Sequence, residues 1–254
     1  MEIDILTWLG FFAVGFGASL LNSIAGGGSV FSLPVMIWLG LPPTVAHGTN
    51  RVGLIGGNLS SAWNLYRHGY LNKKVLMQIF WPSVLGTLAG LPFLLTLSDD
   101  VFKAILAVAI ALVAIMGSLK KDVFGKPPEQ PPEKGSIKGF IGFFLIAIYG
   151  CIVQVGMGFV QIFALRRYSG EEMIRVNAVK NVITTVILVI GTVGLVFAGK
   201  VRWDLAVITA IGSWFGGRIS SMLQYKKGNK FIERTVQIAA VAVAVKLLYD
   251  VFAA

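Results

Sequence analysis

Charge is what this sequence has least of. Asp, Glu, Lys and Arg make up 13% of its 254 residues, about half the ~25% usual in a soluble domain. The deficit is concentrated in runs. Positions 5–50 hold none of these four residue types, and His47 is the only ionisable side chain there. Further uncharged runs cover 75–98, 139–165 and 181–199. Each approaches or exceeds the ~20 apolar residues that cross a hydrocarbon core. With a mean hydropathy of +0.77, a chain of this length cannot bury four such runs in a water-soluble core. The soluble globular classes are excluded.

Other absences narrow the chemistry. A lone cysteine, Cys151, excludes an intrachain disulfide and reads as a small packing residue. Two histidines, His47 and His68, make no convincing metal centre with it. No apolar run contains a pair of carboxylates, so no acid–base couple or carboxylate proton relay is visible. Nothing resembles a phosphate-binding P-loop. The expectation is no enzyme, no catalytic residues, no metal and no cofactor, with any transport driven by a gradient or by exchange. The N-terminus, MEIDILTW, carries Glu2 and Asp4 where a secretory signal would carry Lys or Arg, so it reads as a retained first helix. The net charge of +10 reads as basic loops on the cytoplasmic side of a bilayer, with no nucleic acid as partner.

What is present is an all-α membrane pattern. Helices are expected over 5–24, 29–40, 43–66, 74–98 and 100–119, then over 138–155, 158–168, 174–198, 203–224 and 230–252. Between them lies a Pro- and charge-rich linker, 120–138, a solvated strap. Residues 1–119 and 139–254 thus form two units. Shifted by 130, they align Gly26 with Gly156, Gly28 with Gly158, Gly40 with Gly170, Gly69 with Gly199 and Gly86 with Gly216, without a gap. A constant register of this kind is the mark of internal duplication. Basic residues gather at Arg67, Lys73 and Lys74, in the linker, at Arg166, Arg167 and Arg175, and at Lys226, Lys227 and Lys230. The positive-inside rule puts these loops in the cytoplasm and 39–44 and 96–100 outside. Equivalent loops then fall on opposite sides, which makes the repeat inverted; Lys200 and Arg202, placed outside, run against that rule.

Two segments, 29–40 and 158–168, are too short to span. Twelve helical residues reach about 18 Å of a ~30 Å core. Each follows a glycine break, Gly26-Gly27-Gly28 and Gly156-Met157-Gly158. Short helices after breaks at matching places point to a transporter's binding site, where helix N-termini at Ser29 and Phe159 offer N–H groups to an anion. Close helix packing through small residues is the alternative. Beyond the breaks, His47-Gly48-Thr49-Asn50-Arg51 and Asn177-Ala178-Val179-Lys180-Asn181 each set a cation beside an amide inside an apolar helix. Intramembrane cations are costly and functional by default, so Arg51 and Lys180 are candidate counter-charges, with Asn50, Asn177 and Asn181 for the oxygens. Snorkelling at helix ends is the competing reading. Secondary candidates are Asn22, Ser23 and Gln154 beside the breaks, and Arg218 in GGRISS.

The run GASLLNSIAGGGSVFSLPVMIWLGLPPTVAHGTNRVGLIGGNLSSAWNLYRHGYLN resembles the N-terminal signature of the sulfite exporter TauE/SafE family. The matching features are the Gly-rich break, Leu-Pro, the Leu-Gly-Leu-Pro-Pro turn, Ala-x-Gly-Thr-Asn and Arg-x-Gly. The second half resembles that family's weaker repeat. The resemblance implies a multi-pass carrier in the cytoplasmic (inner) membrane, with two related halves, for sulfite, sulfonates or related anions. By motif, Gly26, Gly27, Gly28, Thr49 and Asn50 would line the first half of its site. Arg51 stands where Lys is more usual, and Met157 replaces a middle glycine in the second break. The expected function is secondary transport of a small anion, with a passive anion channel or a membrane structural subunit as alternatives. A proton or sodium coupling ion and a homodimer are left open.

Overall fold

The structure is a computed structural model that describes residues 4–119 and 136–252. The linker reading of 120–138 lies almost wholly outside the described residues. Among the described residues all regular structure is helical: α1 (Ile5–Ala25), α2 (Gly28–Trp38), α3 (Pro43–Arg67), α4 (Lys73–Thr96), α5 (Asp99–Leu119), α6 (Ile137–Ile152), α7 (Met157–Ser169), α8 (Met173–Phe197) and α9 (Trp203–Phe252), the last broken at Gly228 with φ 73° and ψ −174°. By length and composition, α1, α4 and α8 are apolar enough to cross a membrane. Shifting α3 by 130 lands it on α8, end for end, and the left-handed glycines Gly26, Gly40 and Gly69 land on the left-handed Gly156, Gly170 and Gly199.

Helix starts follow local chemistry. Asp4 caps α1 by accepting from the Thr7 N–H at 2.8 Å, and that contact holds its carboxyl below the usual range. Asn72 caps α4 from Lys74 and Val75, and Ser136 caps α6 from Gly139. One expected span ends early. The sequence predicts helix through 155, but α6 stops at Ile152, and Gln154 takes φ 65°. A non-glycine residue there is strained, which marks position 154 for inspection.

The packing is inverted relative to a soluble protein. Trp38 and Phe197 are 83% and 88% exposed, and Trp63, Trp81 and Phe93 also face outward, while Arg51 and Lys180 are fully buried. Apolar side chains outside and polar ones within are what a hydrocarbon solvent selects. Helices approach closely through glycine. Gly212 and Gly216 of α9 lie on the backbone of Phe12 and Phe16 of α1, and Gly86 of α4 lies on that of Phe144 in α6. Ser213 and Ser220 then donate to Gly15 and Leu20 carbonyls across the α1–α9 contact, at 3.0 and 2.9 Å.

The loops sort into two groups at opposite ends of the bundle. At one end the Thr44 N–H donates to Asp99 at 2.8 Å, Lys200 to the Leu97 carbonyl at 2.9 Å, and the Arg202 N–H to Thr49 at 3.1 Å. At the other end Asn72 donates to Glu171, the Ile174 N–H to Asn229 at 3.1 Å and Asn229 to Glu172 at 3.1 Å. The basic segments 67–74 and 226–230 lie at the second end. Arg202, the exception to the charge pattern, is paired with Asp204 at 2.6 Å.

Gly216→Ala should lower stability by about 1–3 kcal/mol, because the new methyl meets backbone that cannot swing away. Gly142→Ala, with nothing within 4 Å, should be neutral or raise stability by up to about 1 kcal/mol. Thermal unfolding of both variants in detergent checks the pair; equal losses would mean that the α1–α9 contact is not glycine-limited.

Candidate functional site

The two glycine breaks meet. Gly26, Gly27, Gly28, Gly156 and Gly158 are all buried, and a Cβ on either Gly26 or Gly158 would overlap the backbone of the other. A Cβ on Gly27 would strike the Phe159 ring. Glycine is therefore required here for close approach, with Gly26 also needing its φ of 80°. Across the junction Gln154 donates to the Ser29 hydroxyl at 3.0 Å, so the strained turn after α6 aims its amide at the first turn of α2.

Breaking a helix inside a membrane strands its last carbonyls, which have no water to turn to. The end of α1 is met by side chains from α8 and α9. Lys180 donates to the carbonyls of Asn22 at 2.7 Å and Ser23 at 3.1 Å. Asn177 donates to that of Ile24 at 3.0 Å, and Gln224 to Ser23 at 3.3 Å. Asn177 also donates to the Gln224 side-chain oxygen at 3.0 Å. The end of α6 is met by α3: the Arg51 guanidinium donates to the carbonyls of Gly150 at 3.3 Å and Cys151. Its Nε donates to His47 Nε2 at 2.7 Å, which requires a neutral imidazole with its proton on Nδ1. Gly191 of α8 makes room, since a Cβ there would collide with Arg51 Nη1.

Each cation thus holds the broken helix of the opposite half. Among the described residues neither pairs with a carboxylate. The negative end of a helix dipole takes that place. This refines the expectation that Arg51 and Lys180 stand free as counter-charges. Their charge is at the breaks, but several of their N–H groups are spent on backbone.

One of the two half-helix N-termini differs from expectation. The Phe159 N–H, expected free, donates to the Gly156 carbonyl at 3.0 Å, because the left-handed Gly156 turns the chain into a tight first turn. The Gly28 N–H donates to the Asn22 side chain at 3.3 Å, so Asn22 bridges the first break, and its amide reaches Asn58 at 3.2 Å.

Around this centre lie buried polar atoms with unmet hydrogen-bonding capacity. Asn50 accepts from Ser32 at 2.7 Å and leaves its amide nitrogen unused. Asn181 donates to Ser61 at 2.9 Å and leaves its oxygen unused. Gln161 accepts from Thr184 at 2.6 Å with its nitrogen unused. Arg51 Nη1, Gln154 Oε1, Asn177 Oδ1 and the Ser23 hydroxyl are further such atoms. Two sequence candidates fall away from it. The Thr49 hydroxyl serves the Arg202 N–H at the loop end. Arg218 is exposed on the outer surface, because its turn of α9 presents Gly216 and Gly217 inward instead. Sequence reasoning missed Ser32, Ser61, Gln161, Thr184, Gln224 and the role of His47. Only His47 left a readable signal, four residues before Arg51 on one helix face.

The sequence model described as Sulfite exporter TauE/SafE matches residues 11–247. The chain belongs to this family. A probable membrane transporter protein, ORF9, of Sinorhizobium sp is 26% identical over 240 residues, covering 94% of this chain and 91% of the relative. One from Haemophilus influenzae is 25% identical, covering 98% and 96%. Another, YunE from Bacillus subtilis, is 21% identical, covering 93% and 96%. No solved structure matches the chain. For a TauE/SafE protein, the buried polar centre belongs to a multi-pass membrane transporter fold.

Lys180→Met keeps the side-chain length but leaves the Asn22 and Ser23 carbonyls short of a donor. It should cost about 1.5–3 kcal/mol, the worth of hydrogen bonds to a charged group, seen as a lower unfolding temperature in detergent. Gly191→Ala should destabilise through the displaced Arg51 guanidinium, by about 1–3 kcal/mol, in the same measurement.

Proposed function

We propose that the protein is a secondary transporter of a small anion, with sulfite or a related organosulfur oxyanion such as a sulfonate as substrate and export as its direction. The observation that carries this is the junction of the two breaks, where buried polar side chains with unused donors stand with two cations that have no carboxylate partner among the described residues. An anion held there would take the free Arg51 and Asn50 N–H groups and would offset a positive charge that the bilayer otherwise penalises. Gly26, Gly27, Gly28, Gly156 and Gly158 let substrate and backbone approach; Asn177, Asn181 and Gln154 stand beside them. No catalytic step is assigned to any residue.

Alternating access follows from two halves that share one set of helix ends. We read them as inverted repeats, a reading supported by the loops 39–44 and 169–174, equivalent under the shift of 130, lying at opposite ends of the bundle. The contact of Gly26 with Gly158 closes the centre. Rocking one half against the other would part these glycines and open the centre first to one side, then to the other.

Thermal unfolding of the purified protein against sulfite, sulfate, methanesulfonate, acetate and chloride tests the site. A bound anion at about 100 times its Kd should stabilise by about 2.7 kcal/mol, for one sulfur oxyanion above the others. Asn50→Leu and Arg51→Gln should abolish that increment. In proteoliposomes the flux should saturate and show counterflow. Flux without saturation would favour a passive channel, and absence of both stabilisation and flux would favour a structural subunit.

A further inference from the structure

The two halves perform one task with different cations. Arg51 holds the carbonyls at the end of α6, and Lys180 holds those at the end of α1. A guanidinium stays charged under all physiological conditions, whereas a lysine ammonium can give up its proton. The α6 end is therefore held permanently. The α1 end is held only while Lys180 carries its proton, since a neutral amine is a poorer donor with no charge to set against the helix dipole.

We propose that Lys180 is the proton-coupling site of the transport cycle. The exchange is Lys–NH3⁺ to Lys–NH2 plus a proton released to water on the side to which the centre is open. Loss of the proton removes the ammonium from the Asn22 and Ser23 carbonyls and loosens the α1 break against α8, while the Gly26 N–H still donates to the Asn22 carbonyl. The Asn177 and Gln224 bonds to Ile24 and Ser23 remain, so the end of α1 shifts without losing every partner.

The surroundings supply no competing titration. α1 carries no ionisable residue at all, and α3 meets this part of α8 with Ser61. Gln161 of α7 and Gln224 of α9 are neutral, and among the described residues no carboxylate pairs with Lys180. Of the titratable groups of α3 and α6, His47, Arg51 and Cys151 belong to the other helix end, Tyr149 donates to the Val155 carbonyl, and Tyr66, Arg67 and Lys138 lie in terminal turns; Arg166 and Arg167 lie in the last turn of α7, and Lys73 and Lys74 start α4 at the loop end. The proposal rests on the transport reading above.

The test uses the full chain in proteoliposomes containing a pH-sensitive dye, with ³⁵S-labelled sulfite and methanesulfonate as probes; methanesulfonate itself carries no titratable proton. Expected in the wild type is anion flux accompanied by a change in lumen pH, with an imposed pH gradient driving accumulation. In Lys180→Arg the ratio of gradient-driven accumulation to counterflow should fall by about tenfold or more. Lys180→His should retain proton movement and shift the pH dependence of flux towards lower pH. Saturable counterflow in the wild type without lumen pH change overturns the coupling and leaves the transport reading standing. Gradient-driven accumulation in Lys180→Arg equal to wild type also overturns it. Absence of wild-type counterflow for both probes sinks the transport reading and the coupling with it. Should Lys180→Arg fail to fold, Lys180→His decides, and a pH dependence of flux equal to that of the wild type overturns the assignment.

Discussion

A helix that ends in the middle of a bilayer leaves carbonyl groups that water cannot satisfy and that a following turn satisfies only in part, and the centre of this protein answers to that constraint. The ends of α1 and α6 lie buried, and each is met by a cation and by amides from other helices. An unpaired backbone group in hydrocarbon costs several kcal/mol. A lone buried charge costs more. Bringing the two together lets each offset the other, with the helix dipole adding its partial negative charge.

The arrangement couples the halves of the chain. The end of α1 depends on Lys180, Asn177 and Gln224, more than 150 residues later, and the end of α6 depends on Arg51, about 100 residues earlier. Neither broken helix is completed by its own half. The glycine contacts between α1 and α9 and between α4 and α6 exchange partners in the same way. These helix ends therefore tie the two halves of the chain together.

Membership of the TauE/SafE family, at 21–26% identity to relatives that cover nearly the full chain, accords with this design. What such a fold asks of its sequence is a small set of residues: glycines where backbones touch, cations two turns inside apolar helices, and amides beside them. The outer surface needs only to be apolar, as Trp38, Trp63 and Phe197 are.

The sequence by itself determined the membrane class, the helix positions and the place of the breaks. Hydrophobic runs, glycine triplets and rare intramembrane cations are properties of local composition, and the bilayer makes each costly to place otherwise. It placed α3 and α8 within one or two residues, because prolines, glycines and charges flank them. It misjudged the end of α6, since Val153-Gln154-Val155 reads as continuous apolar helix and only the meeting of the breaks bends it. What the tertiary structure alone decided is which atoms face which. Arg51 and Lys180 are visible as expensive residues, but their partners are backbone carbonyls, and every helix offers identical carbonyls at its end. Gln161, Thr184 and Gln224 carry no pattern in the chain, because their pairings join residues 23 to 201 positions apart. Contacts of that span are set by how helices cross, and no local period of the sequence records them.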